Sequence, residues 1–150
     1  MTVRRRDERG TAVVEFSWLA ILLLVPLIYV LLAVFDVQRA SYGATAATRA
    51  AGRAFIIGPD ESGVAESRER AFEAARLAMA DQGMDLAREQ LAITCSPACL
   101  EPGSTVTVVL STSVPLPLIP DFIGDDRPAV QIKSEHTESY GDYRESKADR

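Results

Sequence analysis

Gly10-Thr11-Ala12-Val13-Val14-Glu15-Phe16 opens the stretch whose reading decides the fold, because no charged residue follows until Asp36. The twenty residues from Phe16 to Phe35 are almost entirely Leu, Ile, Val, Ala and aromatic. A bilayer core about 30 Å thick takes roughly 20 such residues in a helix. Residues 16–35 therefore read as a transmembrane helix. A secretory signal has an apolar core of only about 7–15 residues and then a small-residue cleavage site. Here the run is longer, and Asp36-Val37-Gln38-Arg39 comes next. The Arg4-Arg5 pair does not make a twin-arginine signal, since the Arg6-Asp7-Glu8-Arg9 that follows is too charged.

Charge is split about this segment. In residues 1–10, four arginines against Asp7 and Glu8 give +2, so a chain total of −5 leaves −7 for the rest. Basic residues ahead of a spanning helix hold that end in the cytoplasm, which puts the acidic remainder outside. That remainder, on the order of a hundred residues, suffices for one small domain with a modest core. Its acidity argues against nucleic acid as a partner, because phosphate binding needs clustered Lys and Arg.

Glu15 has two readings. In one, it lies at the cytoplasmic interface and reaches into water. In the other, the chain is cut after Gly10, and Thr11 carries a free α-ammonium with an ordinary pKa of about 7.7–8.0. Glu15 is four residues on, on the same helical face. It would neutralise its own terminus or that of a neighbouring chain, offsetting a burial cost that neither charge bears alone in lipid.

The second reading matches a known pattern. Glu8-Arg9-Gly10-Thr11-Ala12-Val13-Val14-Glu15-Phe16, followed by Pro26 within an aliphatic run, resembles the processing signature of type IV prepilin-like proteins. In this form it is similar to the TadE-like family of the Tad (tight adherence) pilus system. The resemblance covers about residues 5–55. It implies a minor pilin or pseudopilin, cut by a prepilin peptidase between Gly10 and Thr11. It also implies that Glu15, followed by Phe16, guides processing and assembly. The implied partners are the peptidase, other pilins or pseudopilins, Tad membrane assembly components and membrane lipid.

Pro26 removes a backbone donor and clashes with the Leu22 carbonyl, which in a soluble helix costs about 3 kcal/mol. Neighbours in a membrane can satisfy the freed group, so Pro26 is either a simple kink or a flexible point that fits the helix into a bundle. Beyond the membrane, Ala40, Ala44, Ala46, Ala47, Ala50, Ala51 and Ala54 favour continued helix. Small residues also let another helix approach closely. The first helix is thus expected over 11–57, ended by Gly58-Pro59-Asp60.

An outer domain is expected over 58–136. Glu61 to Gln82 reads as an amphipathic helix, with Val64, Ala71, Phe72, Ala75, Ala78 and Met79 on one side and Gly83 as its cap. Arg68, Glu69, Arg70, Glu73 and Arg76 form a solvated face or, alternatively, a partner surface. Leu91–Cys95, Thr105–Ser111 and Ala129–Ser134 alternate as strands. Without crossover helices these favour antiparallel pairing. The fold class is α+β: a long N-terminal transmembrane helix continuing into a small pilin-like domain, with a second helix and a small antiparallel sheet.

Cys95 and Cys99 are the only cysteines. Outside the membrane they meet an oxidising compartment and read as a local structural disulfide. A metal site would need more ligands, and the redox C-x-x-C spacing is absent. The proline-punctuated apolar run from Val114 to Gly124 is expected as a loop, which either covers the core or rests on the membrane or a neighbouring subunit. Thr137 to Arg150 is charged and short of aliphatics, and reads as a disordered tail.

No catalytic constellation is visible, and no cofactor is implied. The function expected is that of a membrane-anchored minor pilin or pseudopilin in a Tad-type pilus or secretion system. The alternative is an uncleaved single-pass anchor whose outer domain binds a cell-wall or secreted ligand. The location expected is the cell membrane, N-terminus inside and C-terminal domain outside, with a place in an extracellular pilus as one outcome of assembly.

Overall fold

Two runs of sequence with opposite needs are carried by one helix. A computed structural model describes residues 9–57, 63–116 and 128–142. In it α1 spans Arg9–Ile56, 48 residues with Pro26 inside, or about 72 Å at 1.5 Å per residue. Its first half is bare. Its second half carries Ala40, Ala44, Ala47, Thr48, Ala51 and Phe55, all with no exposed surface, at the three-and-four spacing of one helical face.

That face is covered by α2 (Val64–Ala80) and by a sheet of β1 (Leu91–Ser96), β2 (Thr105–Pro115) and β3 (Ala129–Ser139). The strands are antiparallel in the order β1-β2-β3. The apolar fill comes from Ala71, Phe72, Ala75 and Met79 of α2, Ile93 of β1, Val106, Val108 and Leu110 of β2, and Ile132 of β3. Alternation accounts for the other side of the sheet. Thr94, Thr107 and Thr137 pair across the three strands, and the Thr107 and Thr137 hydroxyls hydrogen-bond at 3.1 Å. One wet face is what an antiparallel sheet tolerates.

Close approach sets the small residues of α1. A Cβ added at Gly52 would lie 2.9 Å from Cγ of Glu138 and 3.4 Å from Cδ2 of His136. One added at Gly43 would lie 2.8 Å from Cε of Met84 and 3.2 Å from Cγ of Gln82. One turn below Gly52, the hydroxyls of Thr48 and Ser134 hydrogen-bond at 3.2 Å. These contacts fix direction: β3 runs the same way as α1. The connected end of the β2–β3 hairpin, at Pro115 and Ala129, therefore points toward the N-terminal half of α1. The β1–β2 connection, with its cysteines, lies at the far end.

The α2 helix stops by the chemistry its sequence offers. Gly83 has φ of +70°, and the amides of Gly83 and Met84 donate to the carbonyls of Ala80 and Met79 at 2.8 and 3.1 Å. This pair of bonds is a Schellman ending, for which glycine suits the left-handed position.

Several expected boundaries move. The first helix begins at Arg9 and the second at Val64. Val64 is 37% exposed, so it does not join the buried side of α2. Val114 and Pro115 belong to β2, opposite Val130 and Ala129, so the expected loop starts two residues too early. Proline is admissible at Pro115 because it closes the strand. Thr137 to Ser139 are not tail: they pair with Thr107 to Thr105, and Tyr140 behind them is buried. Residues 1–8 of the expected basic leader (1–10), the Gly58-Pro59-Asp60 stop, residues 117–124 of the apolar run and residues 143–150 of the tail lie outside the described residues.

Candidate functional site

The N-terminal half of α1 is the part of the chain that the fold leaves unused. Within the described residues it is the one helix long and apolar enough to cross a membrane, and none of its apolar window is buried. Phe16, Trp18, Leu23 and Phe35 are about two-thirds exposed. The first fully buried residue of α1 is Ala40, four residues after Asp36. Asp36 and Arg39 sit one turn apart with their charges 3.4 Å from each other.

Gly10 and Thr11 fall in the first turn of α1, one turn before Glu15 on an unbroken helix. Glu15 and Phe16 are exposed. Glu15 is the only carboxylic acid between Gly10 and Asp36. The Ser17 hydroxyl donates to the Val13 carbonyl at 2.8 Å, so serine adds no unpaired donor to the apolar run. Pro26 lies inside α1, which continues through it. What this segment offers chemically is a single carboxylate on an otherwise apolar rod, one helical turn from the Gly10–Thr11 bond.

Cys95 and Cys99 are joined by a disulfide, with Cα atoms 5.1 Å apart. The bond closes the loop after β1 at the end of the domain farthest from the exposed half of α1. Its loop also contains the cis Ser96–Pro97 bond. Cys95 and Cys99 both pack against the core, so the bridge belongs to the fold rather than to a reactive surface.

The charged side of α2 has a structural role that sequence periodicity did not reveal. The Arg88 guanidinium lies 4.3 Å above the Phe72 ring and donates to both carboxylate oxygens of Glu69. Hydrogen bonding from Arg88 holds the Glu69 carboxyl below its ordinary value, and the same bond raises Arg88. The Arg68 guanidinium donates to the Ile93 carbonyl at 3.1 Å. These contacts tie α2 to β1 and to the turn at residues 88–90 just before it, across a cleft of about 120 Å³ lined by Arg68, Phe72, Arg88, Leu91 and Ile93. Both guanidiniums in the cleft are engaged, so it serves as a clamp between helix and strand. The signal missed in the sequence was Arg88, 19 residues from Glu69 and outside any periodic window.

No family model, curated protein or solved structure matches this chain.

Proposed function

We propose that the chain is a membrane-anchored pilin-like subunit of a Tad-type pilus or secretion system, matured by cleavage between Gly10 and Thr11 and assembled through α1. One observation carries the reading. A single helix divides into an exposed apolar half holding only Glu15 and a small-residue half buried in an α+β domain. A carboxylate in lipid costs about 2.5–3.5 kcal/mol at mid-membrane and less near the ends. The new α-ammonium of Thr11, in the same or a neighbouring chain, offsets that cost. Exposed Phe16 and the aliphatic residues after it then pack against neighbouring helices or lipid. In this reading the outer domain carries no chemistry. It gives the helix a rigid head that neighbouring subunits meet.

The test is the mature N-terminus in native membranes, by intact mass and terminal sequencing, beside a Gly10→Ala variant. Processing predicts a chain starting at Thr11 that disappears in the variant. A chain starting at Met1 or Thr2 in both would leave a plain single-pass anchor and end the proposal.

A further inference from the structure

We propose that the outer face of α1 at Arg53 and Ile57 docks against Leu77 and Asp81, at the C-terminal end of α2, of a second copy standing about 15 Å higher, that is, farther from the apolar half of α1. The contact adds to the pilin-like reading a place where two domains meet, and it rests on that reading for copies that assemble side by side. Each patch is a charge and an aliphatic side chain left over by the fold. Ile57 is 66% exposed and Leu77 63%, and Arg53 and Asp81 are exposed beside them. Among the described residues neither Arg53 nor its neighbour Arg49 has a carboxylate partner, and Asp81 has no cation. Every glutamate of α2, by contrast, is paired: Glu66 with Arg70, Glu73 with Arg76 and Glu69 with Arg88.

Spacing and direction select the partner. Ile57 follows Arg53 by four residues, and its amide still donates to the Arg53 carbonyl at 3.1 Å. The two therefore lie one turn apart on one face, with Ile57 above. Leu77 and Asp81 are also four apart, but α2 runs the other way. It starts eight residues after the end of α1 at Ile56, and just beyond its last turn Gln82 and Met84 lie against Gly43. Leu77 thus stands above Asp81 by the same single turn. Laid side by side, the two faces match charge to charge and aliphatic to aliphatic only when both copies of α1 point the same way. Reversed copies would set Arg53 on Leu77 and Ile57 on Asp81. The required direction is the one that two chains anchored in one membrane share. The step follows from the helical rise: Asp81 is near the level of Gly43, ten residues below Arg53, or about 15 Å.

Lipid does not fit the same arginine. Arg53 lies 18 residues beyond Phe35, about 27 Å along the helix, whereas headgroups extend only about 5–7 Å past the hydrocarbon. A helix does fit. Ala50 and Ala46, one and two turns below Arg53, are small and not buried, so a second helix can approach closely there. The two patches are different surfaces, which makes the contact heterologous. Each copy turns Arg53 and Ile57 to one neighbour and Leu77 and Asp81 to another, and the series stays open unless it closes into a ring. A Glu15–Thr11 pairing between chains would step only four residues, about 6 Å, so it would join a copy to a different neighbour.

The experiment uses the full chain in native membranes, with cysteine placed at exposed positions that leave the core untouched. Ile57→Cys and Leu77→Cys in one chain should give, on mild oxidation, a ladder of disulfide-linked multimers. Within one copy the two positions stand about 15 Å apart by the same rise. A disulfide spans at most about 7 Å between Cα atoms, so the ladder reports contact between copies. Either substitution alone should give no linked dimer, and a mixture of the two single variants should give dimer and nothing larger. Arg53→Asp should reduce the ladder several-fold, and Asp81→Arg added to it should restore the ladder. No ladder in membranes whose chain begins at Thr11 overturns this inference and leaves the maturation proposal intact. A ladder on a chain beginning at Met1 or Thr2 upholds the contact and ends the maturation proposal. Linked dimer from Ile57→Cys alone, which marks a two-fold contact, or linkage only to a different protein overturns the inference.

Discussion

Gly43 and Gly52 occupy the same helix, yet the same substitution should act on them in opposite directions. Alanine in place of glycine in a helix interior gains about 0.8–1.0 kcal/mol in propensity. At Gly43 the new methyl meets Cε of Met84 at 2.8 Å, the far end of a side chain with three rotatable bonds that adapts readily. Gly43→Ala should therefore be neutral or stabilising by up to about 1 kcal/mol. At Gly52 the methyl meets Cγ of Glu138 at 2.9 Å, one bond from the strand's own Cβ. Glu138 is also held by His136, with Nε2 and Oε1 2.9 Å apart. Moving Cγ aside gives up that bond, and overpacking typically costs about 1–3 kcal/mol. The net for Gly52→Ala is a loss of about 0.5–2 kcal/mol. In a domain of this size each kcal/mol moves the melting point by about 4–8 °C. The assay is thermal unfolding of the full chain in detergent, followed by near-ultraviolet circular dichroism, which reports domain packing rather than the micelle-bound helix. Glu138→Ala removes Cγ and leaves Cβ at an ordinary 3.7 Å. In that background Gly52→Ala should become stabilising, with a coupling of about 1–2 kcal/mol. Gly52→Ala melting at or above Gly43→Ala, or no coupling to Glu138, would refute the close approach of α1 and β3.

Phe55 is the largest fully buried side chain, and Phe55→Ala should cost about 3–5 kcal/mol by the same melt, enough to unfold a marginal domain. Cys95→Ser should cost about 2 kcal/mol, the chain-entropy value for a short loop, and added reductant should then leave the melting point of the variant unchanged. The Glu69 carboxyl is held below its ordinary 4.5 by Arg88, so its contribution is present at neutral pH and is lost as pH falls below 4.5 and through the lowered value. Arg88→Ala should flatten that acid limb in a stability-against-pH series. Glu15→Ala should enter membranes at least as well as the parent, since it removes a charge that is costly in lipid. It should fail to cross-link to neighbouring subunits, measured beside terminal sequencing.

Periodicity carried most of the fold. The Ala-rich continuation of α1, the stripe of α2 and the three alternating strands are local signals, and each appears where residue spacing puts it. The end of β3 was not legible because Thr137, Glu138 and Ser139 look like tail by composition. Their place is set by pairing with β2, with Thr137 and Ser139 facing outward as an edge strand accepts and Glu138 facing α1. Glu138 was further disguised, since a glutamate beside a helix needs a glycine opposite it, 86 residues earlier in sequence. The clamp of Arg88 on Glu69 and Phe72 was illegible for the same reason: it is a contact between segments that no window contains. Glu15, by contrast, stands out in sequence alone, because one carboxylate in an apolar run is conspicuous without any tertiary information.

The small-residue stripe of α1 also decides how the protein can be divided. Ala40, Ala44, Ala47, Ala51 and Phe55 form the inner wall of the domain, so the helix is no detachable anchor. A chain begun after Ile57 would present Val106, Val108 and Leu110 to water with nothing over them and should aggregate. One begun at Asp36 keeps the wall and discards only the apolar rod. The same dependence orders biosynthesis. In the membrane-spanning arrangement proposed above, the sheet would have no inner surface to fold against until residues 40–55 had cleared the membrane, so transfer of that part of the helix and completion of the domain would be a single event.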